Sequence, residues 1–365
     1  MLLLPTNALQ ECRSTGPKVS ICVPSLNTFP FLKERFETIF DQTFRNWELL
    51  VYDSHSSDGS WEYIQQLART DDRMRIWQGP REGVYPAWNE CIRRAQGEYV
   101  YIATSDDTMS QNCLEELTAA LENHPECDLA HCPLLVIDEA GEILRDRSPW
   151  PNGTVFGHGL MHLTDEPHIR RAPYDGLLHL TEMHVYLSVT QLLIRKTLFS
   201  RIGFFQSTWG SVSDFNWEMK AGLVANVIHV PSTWASWRQH SKQLSAAINV
   251  RSYDRDLKFD QMIEDAVLTC EPYLDANIVA ELKTHWLSSS RTMREYYSGL
   301  RRRQSSVRRK IFQLNQLFCG EKQIRSEIIH RVFGRAKWEQ RLPAEIRLWL
   351  KSQAFDPITK ISAKL

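Results

Sequence analysis

The sequence lacks any apolar run close to the roughly 20 residues that a membrane-spanning helix needs. Its opening residues, Met-Leu-Leu-Leu-Pro-Thr-Asn, also lack the basic segment and the longer apolar segment of a secretory signal. We therefore expect neither a transmembrane helix nor export, and we predict a cytoplasmic protein.

The cysteines lack the regular spacing of a disulfide framework, although there are eight of them. In a cytoplasmic protein they are expected to be free thiols. One group, His124, Cys127, His131 and Cys132, contains residue types that bind zinc. Its spacing matches no common zinc pattern, and the apolar residues after Cys132 indicate the interior of a strand. We do not predict a zinc site.

Net charge is almost absent, at −1, but its distribution along the chain is uneven. Residues 283–365 contain 19 Lys and Arg against 6 Asp and Glu, so the rest of the chain is acidic. Such a basic region is typical of contact with an anionic membrane surface, an acidic polymer or the acidic part of the same chain. A solvated helical face would explain it equally well. No interleaving of aromatic and basic residues indicates a nucleic-acid partner.

Strand-like and helix-like segments alternate through the first two thirds of the chain. This alternation predicts an α/β fold with a mostly parallel sheet flanked by helices on both faces. The predicted strands cover residues 19–23, 47–52, 75–78, 100–103, 129–137, 188–194 and 227–237. The predicted helices cover residues 31–40, 60–68, 87–95, 110–122, 195–202 and 214–223, with Gly97 and Gly222 expected at helix ends.

Polar residues follow several of the predicted strands. Asn27, Asp53 and the adjacent pair Asp106 and Asp107 all stand at predicted carboxyl ends. In parallel sheets ligands bind beyond these ends, so we expect the four side chains to converge on one crevice. Two adjacent acids repel each other, which favours a cation or a hydrogen-bonding ligand between them, although a solvated turn is the simpler alternative.

Four regions are predicted along the chain. An N-terminal extension covers residues 1–17, and the α/β domain covers residues 18–248. Residues 149–184 form a long insertion rich in Pro, Gly and His, which we expect to be a lid or an acceptor site. Its five histidines are too irregularly spaced to predict a metal site. Residues 249–365 are predicted to form a basic helical C-terminal region, because apolar residues recur there at helical spacing.

A series of short motifs runs through residues 18–245. It begins with Lys-Val-Ser-Ile-Cys-Val-Pro-Ser-Leu-Asn ending at Asn27, Gln-Thr-Phe at 42–44 and Asp-Ser-His-Ser-Ser-Asp-Gly-Ser starting at Asp53. It continues with Gly-Val-Tyr-Pro-Ala-Trp-Asn from Gly83 to Asn89, Ala-Gln-Gly-Glu-Tyr at 95–99 and Ser-Asp-Asp at 105–107. The second half adds Asp-Phe-Asn-Trp at 214–217 and Arg-Gln-His at 238–240. In this order the motifs resemble those of a family 2 glycosyltransferase of the GT-A fold.

The resemblance implies a role for individual residues. A nucleotide-sugar pocket would contain Pro24, Ser25, Asn27, Asp53, Gly83, Asn89, Asp106 and Arg238. Within that pocket Asp53 would bind the base ring, and Asp106 would face the ribose or the waters of the metal. A divalent cation, Mn²⁺ or Mg²⁺, would be bound by Asp107 and His240, and Asp214 would be the catalytic base. Ser105, Ser54 and His55 depart from the family pattern, and Ser105 leaves fewer carboxylates for the metal.

The sequence thus predicts a metal-dependent inverting glycosyltransferase. Its donor would be a nucleoside diphosphate sugar, with UDP expected, and its acceptor a hydroxyl of a saccharide or a lipid-linked glycan. Surface-polysaccharide or cell-wall glycan synthesis at the inner face of the membrane would suit the basic region. A sugar-phosphate nucleotidyltransferase and a non-catalytic scaffold of the same fold are the alternatives. The oligomeric state stays open.

Overall fold

The computed structural model places most of the α/β region and parts of the C-terminal region. It describes residues 16–144, 154–155, 163–180, 185–241, 243, 253–287, 306–319 and 358–361. Predictions that concern other residues lie outside this described part. They include most of the N-terminal extension, His158, His162 and His184 of the insertion, and the C-terminal residues between these segments.

The first half of the chain alternates strand and helix, as predicted. Its elements are β1 Val19–Ser25, α1 Phe29–Phe40, β2 Trp47–Asp53, α2 Ser60–Ala68, β3 Met74–Gln78, α3 Val84–Arg94, β4 Tyr99–Ile102 and α4 Cys113–Asn123. Strand β1 continues through Pro24, where the sequence indicated a stop. Strand β4 ends at Ile102, opposite Cys22, so Pro24 is paired only with β2.

The second half has shorter and more varied elements. They are β5 Leu129–His131, β6 Leu134–Ile137, β7 Thr154–Val155, β8 His168–Arg170, α5 Tyr174–Leu180, β9 Leu192–Arg195, α6 Thr197–Ile202, α7 Ser213–Val224, β10 Val227–His229 and β11 Ala235–Arg238. The C-terminal elements are α8 Tyr253–Cys270, α9 Ala276–Leu282, a π-helical turn Lys283–Leu287, α10 Ser306–Cys319 and β12 Ile358–Lys360.

Within the described residues the strands form one large mixed sheet and one small sheet. The large sheet has the order β12-β8-β10-β5-β9-β4-β1-β2-β3, and the small one has the order β11-β6-β7. Strands β4, β1, β2 and β3 run parallel, and β9 is antiparallel to both β4 and β5. The register puts Ser25 beside Asp53 and Asp53 beside Gln78. The carboxyl ends of the first three strands therefore lie at one edge, as expected for a ligand crevice.

Several predicted boundaries are wrong for physical reasons. The runs 129–137 and 227–237 are each two strands, one in each sheet. Gly97 does not end α3, which stops at Arg94. A Cβ at Gly97 would lie 2.7 Å from the backbone nitrogen of Ser20, so glycine is needed there for close packing. Gly222 lies inside α7, where a Cβ would be 2.5 Å from the nitrogen of Gly176 in α5.

Helices α8 and α9 belong to the same hydrophobic core as the α/β elements. Met262, Ala266 and Val267 of α8 and Leu282 of α9 are almost fully buried in the cluster that contains Trp217 and Met219 of α7. The predicted boundary at residue 248 therefore separates segments that share a core. No helix in the described part of the chain is both long and apolar enough to span a bilayer.

Candidate active site

The Asp53 carboxylate lies at the carboxyl edge of the large sheet and is fully buried. Its Oδ1 accepts hydrogen bonds from the Ser56 amide and from Gln78 Nε2, both at 2.9 Å. Its Oδ2 accepts the Ser56 hydroxyl at 2.5 Å. These neighbours fix the carboxylate in one orientation, at the position where the resemblance puts the nucleotide base.

Hydrogen bonds join the loop that follows β1 to the loop that follows β2, next to Asp53. Asn27 and His55 both have a φ of 55°, a left-handed conformation that is uncommon for residues other than glycine. The Asn27 amide donates to the Ser56 hydroxyl at 2.9 Å, and Asn27 Oδ1 accepts from the Ser57 amide at 2.8 Å. Arg81 donates to the carbonyls of Ser54 and His55. Asn27 therefore lies beside Asp53, as predicted.

Asp58 links the starts of two helices. One carboxylate oxygen accepts the Phe29 amide of α1, and the other accepts the Ser60 amide and hydroxyl at the start of α2. Burial tends to raise the pKa of Asp58, but these hydrogen bonds outweigh it and lower the pKa below its ordinary value. Asp58 is thus a structural residue that orients the wall of the pocket.

The Asp107 carboxylate is turned into the protein rather than toward the crevice. It is 2% exposed, and its oxygens accept the Thr104 hydroxyl and, at 2.7 Å, the Arg238 amide. Burial raises the pKa of Asp107 to about 7, and the charge of Asp106 adds to the shift. Thr104 and the Arg238 amide thus hold the Asp107 carboxylate, and no hydrogen bond among the described residues joins it to His240, its predicted partner at the metal.

Asp106 lies beside His240, in the position that was predicted for Asp107. Its Oδ2 lies 3.0 Å from Nε2 of His240, and its side chain keeps 23% of its surface exposed. The His240 ring packs on Phe31, with ring centroids 4.6 Å apart. A carboxylate is a suitable ligand for Mn²⁺ or Mg²⁺.

The fit of these two residues to a divalent cation depends on how the remaining ligands are supplied. In the described part of the chain no cluster of three or more His, Cys, Asp or Glu could form a cation site from protein groups alone. Cations that bind nucleotide phosphates use one or two carboxylates and take their other ligands from phosphate and water. Asp106 fits that arrangement as the carboxylate, with His240 next to it.

Arg238 stabilises the turn that contains Asp106 and Asp107, here called the acid turn, and is not available to a diphosphate. Its side chain is 1% exposed, and every guanidinium nitrogen has a partner. Nε donates to the Asp106 carbonyl at 2.6 Å, Nη1 donates to two carbonyls of the loop after β6, and Nη2 pairs with Glu34 at 2.6 Å. The predicted contact with the donor is therefore not supported by the position of this side chain.

Asp214 lies at the start of α7. In the described residues one of its carboxylate oxygens accepts hydrogen bonds and the other accepts none. Oδ1 accepts the Tyr85 hydroxyl at 3.2 Å and its neighbouring amide, that of Phe215, at 3.0 Å. No group in the described residues bonds to Oδ2. Burial raises the pKa of Asp214 above its usual value, and the two hydrogen bonds partly offset this. An oriented carboxylate of increased basicity is suited to general-base catalysis.

A second acid, Glu218, lies one helical turn after Asp214 and is 3% exposed. Burial raises its pKa well above the ordinary value, and the charge of Asp214 adds to the effect. Burial and the nearby charge of Asp214 thus both act against the ionisation of Glu218.

The other predicted residues have mixed positions. Pro24 and Ser25 are buried at the end of β1, and Gly83 precedes α3 with a φ of 101°. The side-chain amide of Asn89 is already bonded, because it pairs with both the carbonyl and the amide of Phe205. Sequence reasoning missed the roles of Ser56, Gln78, Arg81, Tyr85 and Thr104. Only Gln78 gave a signal, since it ends the strand next to Asp53.

Comparison with known proteins finds a family match for part of the chain. The model of the family described as "Glycosyl transferase family 2" matches residues 20–168, which contain the Asp53 loop and the acid turn. This part of the chain is therefore similar to glycosyl transferase family 2. Putative glycosyltransferase EpsE of Bacillus subtilis is 32% identical over 155 residues, covering 40% of this chain and 56% of that protein. Putative teichuronic acid biosynthesis glycosyltransferase TuaG of the same species is 32% identical over 101 residues, covering 27% of this chain and 40% of that protein.

The fold of the chain is also found in a solved structure. Residues 1–349 of S. aureus TarS, in complex with UDP-GlcNAc, align with a TM-score of 0.55 at 14% identity, covering 91% of this chain and 83% of that chain. This likeness confirms the predicted GT-A architecture. In the curated relatives, by contrast, the matched segment spans only about half of the length or less.

Proposed function

We propose that this chain transfers a sugar from a nucleoside diphosphate donor to a hydroxyl group of a saccharide or lipid-linked glycan. The observation that carries the proposal is the Asp214 carboxylate, because Tyr85 and the Phe215 amide orient it and leave Oδ2 open. The family match of residues 20–168 and the position of Asp53 at the sheet edge support a nucleotide-sugar donor.

The proposed reaction is a single displacement with inversion. The acceptor oxygen forms a bond to the anomeric carbon while the bond from that carbon to the diphosphate oxygen breaks. Asp214 Oδ2 takes the hydroxyl proton, and the nucleoside diphosphate leaves. A divalent cation, Mn²⁺ or Mg²⁺, would neutralise the negative charge that grows on the departing diphosphate. We propose Asp106 and His240, rather than Asp107, as the residues that would bind it.

UDP is the proposed donor nucleotide. TarS, which shares the fold, was solved with UDP-GlcNAc, and the buried Asp53 carboxylate can accept a base N–H on Oδ2 once the Ser56 hydroxyl turns away. Glycan assembly at the cell surface is the proposed setting, since one relative is named for teichuronic acid biosynthesis.

Donor binding and transfer test the proposal separately. Thermal shift with UDP-, GDP-, dTDP- and CMP-sugars, with and without Mn²⁺, should show a Mn²⁺-dependent shift with one nucleotide. Asp106→Asn should lose the Mn²⁺ dependence, whereas Asp214→Asn should keep donor binding and reduce transfer by at least about 100-fold. Asp72→Asn, an exposed acid in a surface turn, is the matched control. Unchanged transfer by Asp214→Asn would favour the scaffold, and synthesis of nucleotide-sugar from a nucleoside triphosphate would favour the nucleotidyltransferase.

The basic C-terminal region is proposed to hold the enzyme on an anionic membrane surface. In its described part, Arg308 and Lys310 of α10 are exposed next to Ile311, which is 54% exposed. Removal of residues 283–365 should abolish sedimentation with vesicles that contain anionic lipid, and unchanged sedimentation would contradict this assignment.

A further inference from the structure

A groove lies between β3 and α3, on the face of the sheet opposite to the Asp53 pocket. Its volume is about 470 Å³, within the usual range for a ligand site. Among the described residues β3 pairs only with β2, so the groove is at the edge of the large sheet. We call it the α3 groove, and the lining residues that matter here are Tyr52, Trp77, Glu82, Glu90, Arg93 and Arg94.

The Tyr52 hydroxyl is a hydrogen-bonding group in this groove. Tyr52 precedes Asp53 in β2, so its side chain points to the opposite face of the sheet. The residue is 6% exposed, and it lines the groove together with Gly79. A Cβ at Gly79 would lie 1.8 Å from this hydroxyl, so the glycine leaves the space that the phenol occupies. The phenol can therefore donate a hydrogen bond to a ligand in the groove.

The other lining residues discussed here are aromatic or charged, and their positive and negative charges cancel. Trp77 meets the Tyr52 ring edge to face at 6.2 Å, and the Arg94 guanidinium lies over Trp77 at 4.8 Å from the ring centroid. Glu90 accepts hydrogen bonds from both Arg93 and Arg94, and Glu82 adds a second carboxylate to the lining. Two acids and two arginines leave no net charge, which favours neither a phosphate nor a cationic ligand.

Helix α3 connects the groove to the proposed catalytic base. Its first turn carries Tyr85, whose hydroxyl bonds to Asp214, and Asn89 in the next turn bonds to the backbone of Phe205. Asn89 also lines the groove. A chain that lies in the groove therefore passes along the helix that positions the base.

We propose that the α3 groove binds a neutral glycan segment, namely the part of a long acceptor that is distant from the reacting hydroxyl. Aromatic rings, a phenol and paired charged groups suit a ligand rich in hydroxyls and without charge. The assignment of this glycan to the acceptor depends on the proposed glycosyl transfer, whereas the glycan site itself does not.

Binding to a panel of immobilised neutral oligosaccharides, made of four to eight hexose or N-acetylhexosamine units, tests the site directly. The full chain should retain at least one of them, and the double variant Tyr52→Phe/Arg94→Gln should bind it at least tenfold more weakly. Arg69→Gln, an exposed arginine outside the groove, is the matched control. Absence of binding to every neutral glycan, or equal binding by the double variant, would overturn the proposal, as would preference for a phosphate-bearing polymer.

Kinetics then separate this site from the catalytic assignment. The double variant should raise KM for a long acceptor and leave its kcat, the kinetics of a monosaccharide acceptor and the donor thermal shift unchanged. A fall in kcat with both acceptors would indicate a structural effect on α3 and would overturn the binding role. Glycan binding without any Asp214-dependent transfer would contradict the proposed function and leave the groove site in place.

Discussion

Arg35 of α1 is a fully buried arginine, and within the described residues none of its guanidinium nitrogens has a hydrogen-bond partner. Its charge lies 5.9 Å from the Tyr101 ring centroid and stabilises the ionised form of the buried Asp107. An uncompensated buried charge is costly, so each of these two residues is expected to depend on the other. Arg35 is therefore part of the support of the acid turn that presents Asp106.

Substitution of both residues should show this dependence. We expect Arg35→Met and Asp107→Asn to interact, so that the double variant is more stable by about 1–3 kcal/mol than the sum of the single effects predicts. Urea unfolding of the four proteins measures this interaction energy. Additive effects would mean that Arg35 and Asp107 act independently, and the Arg35 charge would then need another explanation.

Tyr85 should set the lower pH limit of transfer through its hydrogen bond to Asp214. This bond stabilises the carboxylate and lowers its pKa, against the larger effect of burial. Tyr85→Phe removes it, so the pKa of Asp214 rises further and the ionised base is lost at a higher pH. The acidic limb of the kcat/KM profile should shift upward by about 1 pH unit. Tyr63→Phe, a control hydroxyl, should leave the limb unchanged, and a downward shift in Tyr85→Phe would contradict the assigned hydrogen bond.

Sequence reasoning predicted the types of residue at the site better than their individual orientations. Asp53 and Asn27 lie together because strand ends in a parallel sheet are adjacent. The choice between Asp106 and Asp107 depends instead on the turn after β4, which aims Asp107 at the Arg238 amide 131 residues away along the chain. The guanidinium nitrogens of Arg238 are likewise bonded to groups that lie far away along the chain. No local sequence pattern predicts such contacts.

Elements with regular spacing were predicted, whereas elements set by distant contacts were not. Helices α1 and α2 and strands β2 and β3 lie close to their predicted positions. The division of residues 129–137 depends on Pro133 and on pairing with β11, so one apolar run serves two sheets. Helix α8 has the predicted helical pattern, but its place in the core depends on contacts with α7. The spacing of apolar residues predicts which face of a helix is buried, but it does not predict which element packs against that face.

Three neighbouring strands carry a row of buried histidines. In the register of the sheet His229 of β10 is opposite both His131 of β5 and His168 of β8, and Nδ1 of His131 lies 3.2 Å from Nδ1 of His229. Burial lowers the pKa of His131 and His229 well below the ordinary value, and the nearby Arg170 charge lowers both further. Both rings are therefore neutral in the folded protein near pH 7.

This row should make the fold sensitive to acid. Unfolded histidines bind protons below about pH 6.5 and the buried ones do not, so the free energy of unfolding falls as pH drops below that value. Asp107, Asp214 and Glu218, whose pKa values are raised, act in the opposite direction. The difference between wild type and His131→Gln/His229→Gln isolates the histidines. Between pH 6.5 and 5 the free energy of unfolding of the wild type should fall relative to that of the variant. The expected fall is up to about 1.4 kcal/mol per pH unit for each of the two histidines. Parallel curves for the wild type and the double variant would contradict the prediction.

At the scale of the whole molecule, the site is assembled from distant segments and supported by the C-terminal helices. The acid turn is completed by Arg238 and His240, and the base lies on α7. Helix α8 packs against that same α7. Phe215 stacks on Phe259 at 5.9 Å, Asn216 Nδ2 bonds to the Met262 carbonyl at 3.1 Å, and the buried Lys220 pairs with Asp265 at 2.6 Å. The orientation of the base thus depends on residues beyond the family match.

Truncation should reveal this dependence. A chain of residues 16–248 loses α8 and α9, which exposes the apolar face of α7 to water and removes the carboxylate that pairs with Lys220. Apolar surface that is no longer covered favours loosely packed states, so this chain should not unfold cooperatively and should bind a hydrophobic dye. A chain of residues 16–287 retains both helices and should unfold in one transition. Calorimetry and dye fluorescence compare the two, with the full chain as reference. A cooperative transition of the 16–248 chain within about 5 °C of the longer one would mean that α8 is an appendage, as a boundary at residue 248 implies.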